Sequence, residues 1–250
     1  MARAAPLGRL TWRLSEVTST RPLTPRVRSI MLFMSGWEGH LAGQHLDVRL
    51  TAQDGYQASR SYSIASAPEA AHLELIVERL EDGEVSSYLC DELRVGDRLE
   101  LRGPVGGYFV WKASLGSPLL LVAGGSGIAP LMAMIRHRHA ASNQVPVRLL
   151  YSSRSPEDAI YRDELDSMSS ADAAFEVIHT FTRSQPPGWT GYRRRVDVDM
   201  LREVAWPKSQ EALAYICGPT LFVESVADGL VTLGYPAERV RTERFGPTGV

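Results

Sequence analysis

Residues 119–130 read LLLVAGGSGIAP. Leu119 to Val122 is an apolar run of strand length, Gly124-Gly125-Ser126-Gly127 breaks it, and Ile128, Leu131, Met132 and Ile135 resume at helical spacing. The pattern predicts a buried strand, a glycine turn and a helix in succession. Such a turn aims backbone N–H groups and a helix N-terminus at an anion, usually a phosphate. A side chain in place of its glycines would hold the backbone away from the ligand. An ordinary tight strand-to-helix turn gives the same pattern. Three sharper motifs are excluded. A nucleophile elbow, G-x-S-x-G, would need glycine where Ile128 stands. A triphosphate loop needs a lysine, and none is near; the dinucleotide fingerprint G-x-G-x-x-G meets Pro130 in place of its last glycine. A nucleotide-binding turn of another type remains.

Working outward toward the C-terminus, strands and helices alternate. Strands are predicted at Leu119–Ala123, Val147–Tyr151, Phe175–Phe181, Ala212–Cys217 and Val240–Phe245. Helices fit between them at Ala129–His139, Pro156–Asp166, Val198–Val204 and Leu221–Leu233, the last with an apolar face closed by Gly234 and Pro236. Alternation of this kind predicts a parallel sheet with helices on both faces. Toward the N-terminus, residues 10–111 read as β-rich. Apolar alternation at Val27–Phe33, His45–Leu50, Leu73–Val77 and Arg98–Leu101 is punctuated by Asp54-Gly55 and Asp82-Gly83. Short strands at that spacing predict a small antiparallel barrel, interrupted by one helix near Ser86–Leu93 that the paired serines can cap. We therefore divide the chain into a β-barrel domain, residues 1–115, and an α/β domain, residues 116–250.

At 250 residues the length suits one large or two small domains. A net charge of −2 argues against nucleic acid as the main partner. No apolar run approaches the roughly 18 residues of a membrane helix, and the expectation is a cytoplasmic monomer. Two cysteines, Cys90 and Cys217, cannot supply the thiolates of an iron–sulfur cluster. No histidine or carboxylate set has metal-ligand spacing, and His45 reads as structural.

Arg60-Ser61-Tyr62-Ser63 lies on a barrel strand, where it is either a solvated surface tetrapeptide or part of a site. With it the chain resembles the ferredoxin–NADP reductase family. The resemblance rests on five motifs in the family's order: RSYS at 60–63, EVSSYL at 84–89, AGGSGIAP at 123–130, CGP at 217–219 and TERFG at 242–246.

The resemblance implies that the barrel binds a flavin. Tyr62 would stack on its ring, Ser63 would bond its edge near N5, and Arg60 would meet the pyrophosphate with paired donors. Ser61, Ile76 and Val77 join that set, and Val85, Ser86 and Ser87 would set a helix N-terminus against the same phosphates. The serine-rich helix start is similar to FAD-binding members, so FAD is favoured over FMN. In the second domain Gly125, Ser126, Gly127 and Pro130, with Gly218 and Pro219, would receive the nicotinamide nucleotide. Ser126 stands where many relatives have threonine. Ser153, Arg154, Thr182, Arg183 and Tyr192 match positions that meet a 2′-phosphate, which favours NADPH, with NADH the alternative; the competing reading is that both arginines are solvated loop residues. Cys217 would lie near the reacting nicotinamide carbon, or serve only as a small buried residue. Phe245 would cover the flavin face, or simply pack an edge strand, and Glu243 would bond near the same edge.

These readings make Ser63, Cys217, Glu243 and Phe245 the candidate catalytic residues. The function expected is a flavin-dependent NAD(P)H oxidoreductase that passes electrons to a separate ferredoxin or oxygenase. A reductase of free flavin or ferric chelates, and an electron-transfer subunit of a larger complex, are the alternatives.

Overall fold

The computed structural model describes residues 10–246. Strands β1 (Arg13–Thr24), β2 (Val27–Phe33), β3 (His45–Thr51), β4 (Gln57–Ser63), β5 (Leu73–Glu78) and β6 (Arg98–Val105) form one antiparallel sheet in the order β4-β3-β6-β1-β2-β5. An isolated bridge between Ile64 and Leu75 joins its two edges, so the sheet closes as a barrel. Alternation fills it: along β3, Leu46 and Val48 turn inward onto Ile30, Leu75 and Leu101, while Asp47 and Arg49 face out.

The strand β1 has no counterpart among the predicted strands. Its sequence, RLSEVTSTRPLT, buries only Ser15 and Val17, so it carries almost no apolar alternation. The predicted helix at Ser86–Leu93 also differs. A short helix α1 (Glu84–Ser87) runs into a wider π-helical turn, Tyr88–Glu92. The paired serines do not cap it. Gly83 is the N-cap, and Ser86 Oγ instead donates to Gly83 O and accepts from Leu80 N.

The second sheet holds β7 (Leu119–Gly124), β8 (Val147–Ser153), β9 (Phe175–Phe181), β10 (Leu213–Pro219) and β11 (Val240–Phe245), all parallel, in the order β11-β10-β7-β8-β9. Helices α2 (Ile128–Ala140) and α3 (Arg162–Ala171) cover one face through Leu131, Ile135 and Leu165. Helices α4 (Val198–Val204) and α5 (Thr220–Thr232) cover the other through Met200, Leu201, Val226 and Leu230. The predicted helix Pro156–Asp166 is broken. One 3-10 turn spans Pro156–Asp158, Tyr161 takes a left-handed φ of 59°, and α3 starts only at Arg162. Strand order reverses between β7 and β10, which opens a crevice beyond the carboxyl ends of the strands.

The two sheets share a core. Val27, Ala42, Ala65 and Ile76 of the barrel pack in one cluster with Leu131 and Met134 of α2. Arg136 on α2 ties the same seam with charge. It donates to Ala65 O at 2.9 Å and Glu74 Oε2 at 2.6 Å, and bidentately to Glu164 at 2.8 Å. Glu74 is only 5% exposed and its other oxygen accepts from Ser29. From β11, Arg241 donates to Val110 O in the connector. Both domains are thus held in one fixed relation.

Candidate functional site

The glycine turn lies at the crevice. Gly125 takes φ +55° and faces open space where a side chain would stand. Gly127 is glycine for another reason: a Cβ there would come within 2.2 Å of Cys217 O, so its smallness serves helix-to-strand packing. Tyr151 Oη braces the turn, donating to Gly125 O and accepting from Ile160 N. Pro130, buried in the first turn of α2, lacks only an N–H that the helix does not use there. Pro219, Phe222 and Phe245 wall one side of the resulting cleft, and Ser153, Arg154 and Thr182 another; it holds about 490 Å³. Ser153 Oγ is buried without a hydrogen-bond partner, and Arg154 has no carboxylate partner among the described residues. An open left-handed glycine, a helix start, an orphaned hydroxyl and an unpaired guanidinium fit a phosphorylated nucleotide.

Two of the predicted nucleotide residues lie elsewhere. Arg183 is solvent-exposed and does not line the cleft, although its backbone N–H donates to the carbonyl of Arg154, which does. Tyr192 forms a bridge with Thr180 at the sheet edge and donates its hydroxyl to Glu203. That same return segment delivers Arg195 to the cleft instead. Sequence reasoning also missed Arg26 and Glu78, which come from the barrel. Gly218 is buried at the end of β10 beneath the cleft wall.

At the seam, β3 and β4 set His45 opposite Ser63, and β10 and β11 set Cys217 opposite Glu243. His45 Nδ1 lies 3.8 Å from Glu243 Oε1, so a residue read as structural belongs to the candidate site. Glu243 Oε2 is buried with no partner. Burial pushes the Glu243 carboxyl from 4.5 up to about 7. Burial likewise lowers His45, an effect opposed by the charge of Asp47, and raises the Cys217 thiol, helped by Glu243. A carboxyl that titrates near neutrality in a crevice is poised to hold or yield a proton. Cys217 is 2% exposed and stays a thiol, which suits a wall and not a nucleophile.

On β4, Arg60 and Tyr62 share one face by alternation. The Arg60 guanidinium donates to Ser59 O and meets no carboxylate among the described residues. Tyr62 is half-buried against the barrel core. Ser61 points to the other face, where its hydroxyl donates to Asp47, so it is not available beside Arg60. Helix α1 packs beside β4, pinned by the Tyr56 hydroxyl donating to Glu84. Val85 is buried and both serine hydroxyls turn toward Leu80 or Gly83, so this segment offers a ligand its backbone. Ile76 and Val77 are buried in the two neighbouring cores. An unpaired guanidinium, an adjacent aromatic face and the orphaned Glu243 carboxyl fit a flavin spanning from barrel to seam.

Comparison with known proteins agrees with both halves. Residues 29–110 match the oxidoreductase FAD-binding domain and residues 121–228 the oxidoreductase NAD-binding domain. The chain is 34% identical over 209 residues to the glycine betaine monooxygenase reductase subunit of Pseudomonas aeruginosa, covering 82% of this chain and 56% of that protein. It therefore spans little more than half the length of those relatives. It is 30% identical over 232 residues to NADH-cytochrome b5 reductase 1 of Emericella nidulans, covering 90% of this chain and 72% of that one. Among solved structures, the FAD/NAD-binding domain of nitric oxide dioxygenase from Vibrio cholerae superposes with a TM-score of 0.84 at 23% identity, covering 94% and 99% of the two chains. The ferredoxin reductase in carbazole 1,9a-dioxygenase gives 0.80 at 25% identity, covering 96% and 71%. A flavin domain followed by a nicotinamide domain, closed on each other over one seam, is the organisation of the ferredoxin–NADP reductase family of oxidoreductases, and this chain belongs to it.

Proposed function

We propose that the chain binds FAD in the barrel and NADPH in the cleft, and passes their electrons to a separate protein, a ferredoxin or an oxygenase component. The observation that carries the reading is the seam, where His45, paired with Ser63 in one domain, lies 3.8 Å from Glu243, paired with Cys217 in the other. The chemistry supplied by a bound flavin is acceptance of a hydride from the nicotinamide and release of electrons one at a time, which no side chain can perform.

The chain's own residues supply placement and charge. Arg60 would hold the flavin pyrophosphate, with the backbone of Val85, Ser86 and Ser87 beside it, and Tyr62 would flank the ring. Ser63 would bond the ring edge. Glu243 would hold or yield the proton that accompanies reduction, and His45, 3.8 Å away, would set the charge beside it. Strands β10 and β11 carry Cys217 and Glu243 and end in Pro219 and Phe245 on the cleft wall, so one pair of strands links coenzyme and seam. Phe245 would sit where nicotinamide must enter. For coenzyme choice, Ser153, Thr182, Arg154 and Arg195 offer two hydroxyls and two cations at the ends of β8 and β9, which favours the 2′-phosphate of NADPH.

Steady-state oxidation of NADPH and of NADH with a series of acceptors tests this. Ferredoxin or an oxygenase component should be reduced faster than free riboflavin or ferric chelate. Turnover with riboflavin and none with any protein acceptor would refute the assignment of the acceptor.

A further inference from the structure

The cleft is not built by the α/β domain alone. The hairpin between β1 and β2 reaches it with Thr24, Arg26 and Val27. We propose that Arg26, from the barrel, is a coenzyme-binding residue that contacts the pyrophosphate of the dinucleotide. The inference rests on the dinucleotide reading of the cleft and adds to it a cation from the opposite domain.

Strand register fixes where Arg26 stands. Its neighbour Val27 pairs with Glu78 at the end of β5, and Arg79 N donates to Arg26 O at 2.8 Å. Glu78 Oε2 in turn accepts from Ser126 Oγ of the glycine turn at 2.8 Å. The hairpin tip is therefore set across from the turn whose N–H groups would meet phosphate. Thr24 stiffens it: Thr24 Oγ1 accepts from the backbone N–H of Arg26 at 3.3 Å and of Val27 at 3.1 Å, which fixes the backbone from which the guanidinium extends.

Charge gives the same answer. Glu78 places a carboxylate next to the turn, and that charge opposes an anionic ligand. An anion binds there only with a cation on the same side. Arg154 and Arg195 follow β8 and β9 and enter the cleft from the α/β domain, not from the barrel side where Glu78 stands. The Arg26 side chain makes a single long contact, 3.4 Å to Arg79 O, and pairs with no carboxylate among the described residues. A guanidinium left free at the rim of a phosphate cradle has the fork geometry for two oxygens of a diphosphate. Coenzyme binding would then draw on both domains at once.

ADP-ribose, which carries the diphosphate without the nicotinamide, is the probe. Its affinity is measured calorimetrically for the wild type and for Arg26→Gln, Arg26→Lys and Arg28→Gln. Arg28 is the control, a cation two residues on whose guanidinium bonds Thr20 outside the cleft. Arg26→Gln should weaken ADP-ribose about tenfold, with Arg26→Lys recovering much of the loss. Arg28→Gln should leave the affinity unchanged. Because Arg26 is exposed, its variants should melt with the wild type. An affinity in Arg26→Gln within about twofold of wild type, or an equal loss in Arg28→Gln, would overturn the contact. A wild type that does not bind ADP-ribose would overturn the dinucleotide reading itself.

Discussion

Glu243→Gln separates the charge of the seam carboxylate from its shape. Burial moves this group from 4.5 to about 7. At about 1.4 kcal/mol for each tenfold change in proton affinity, the ionised side chain costs the fold about 3 kcal/mol. Below 4.5 the carboxyl is protonated in folded and unfolded chains alike, so its burial carries no charge penalty. As the pH rises from 4.5 toward 7, the unfolded chain loses its proton while the folded one keeps it, and stability falls. Above 7 the full penalty is present. The neighbours do not offset it: burial lowers His45, so the 3.8 Å contact joins two groups that both favour their neutral forms, and Cys217 stays a thiol. Glutamine is neutral at every pH. Urea unfolding of wild type and variant should therefore agree near about pH 4, and the variant should be more stable by about 3 kcal/mol near about pH 8. A difference that does not change with pH would show that Glu243 is not a desolvated carboxylate, and its role as a proton holder would go with it.

Arg60→Ala should lose about 1.5–3 kcal/mol of flavin affinity, about ten- to hundredfold, read as flavin lost on dialysis; a fully loaded variant would show the barrel site to be misassigned. The wild type should favour NADPH over NADH in kcat/KM, and Arg154→Ala with Arg195→Ala should erase that preference by acting on NADPH alone, while Arg183→Ala should not change it. Gly127→Ala sets a methyl against the Cys217–Gly218 peptide and should lower the melting temperature by roughly 5 °C or more. Arg136→Met strands the buried Glu74 carboxylate and should cost about 3–5 kcal/mol in unfolding experiments, much of it recovered by adding Glu74→Gln.

The central strand, its glycine turn and α2 were legible because apolar run, glycines and helical spacing all lie within a few residues. The strands β9 and β11 match their expected limits for the same local reason. What the sequence hid is set by distant pairing. Strand β1 is half exposed and largely polar, so nothing in its letters marks it as central to the barrel. Arg183 and Arg195 look alike as letters, and only the bridge of Tyr192 to Thr180 decides which faces the cleft. His45 became a site residue only when β11 brought Glu243 to it across the seam. Arg26 precedes the glycine turn by about a hundred residues and reaches it through two strand pairings. Local motifs pointed to the candidate sites, while Arg195 and His45 joined them only through distant pairing.

The most direct measurement is the absorbance spectrum of the purified protein under anaerobic conditions, before and after one equivalent of NADPH. A bound flavin whose visible absorbance bleaches on addition of NADPH would support the path from cleft through seam to barrel. A colourless protein that takes up no FAD, or a flavin that NADPH leaves oxidised, would contradict it.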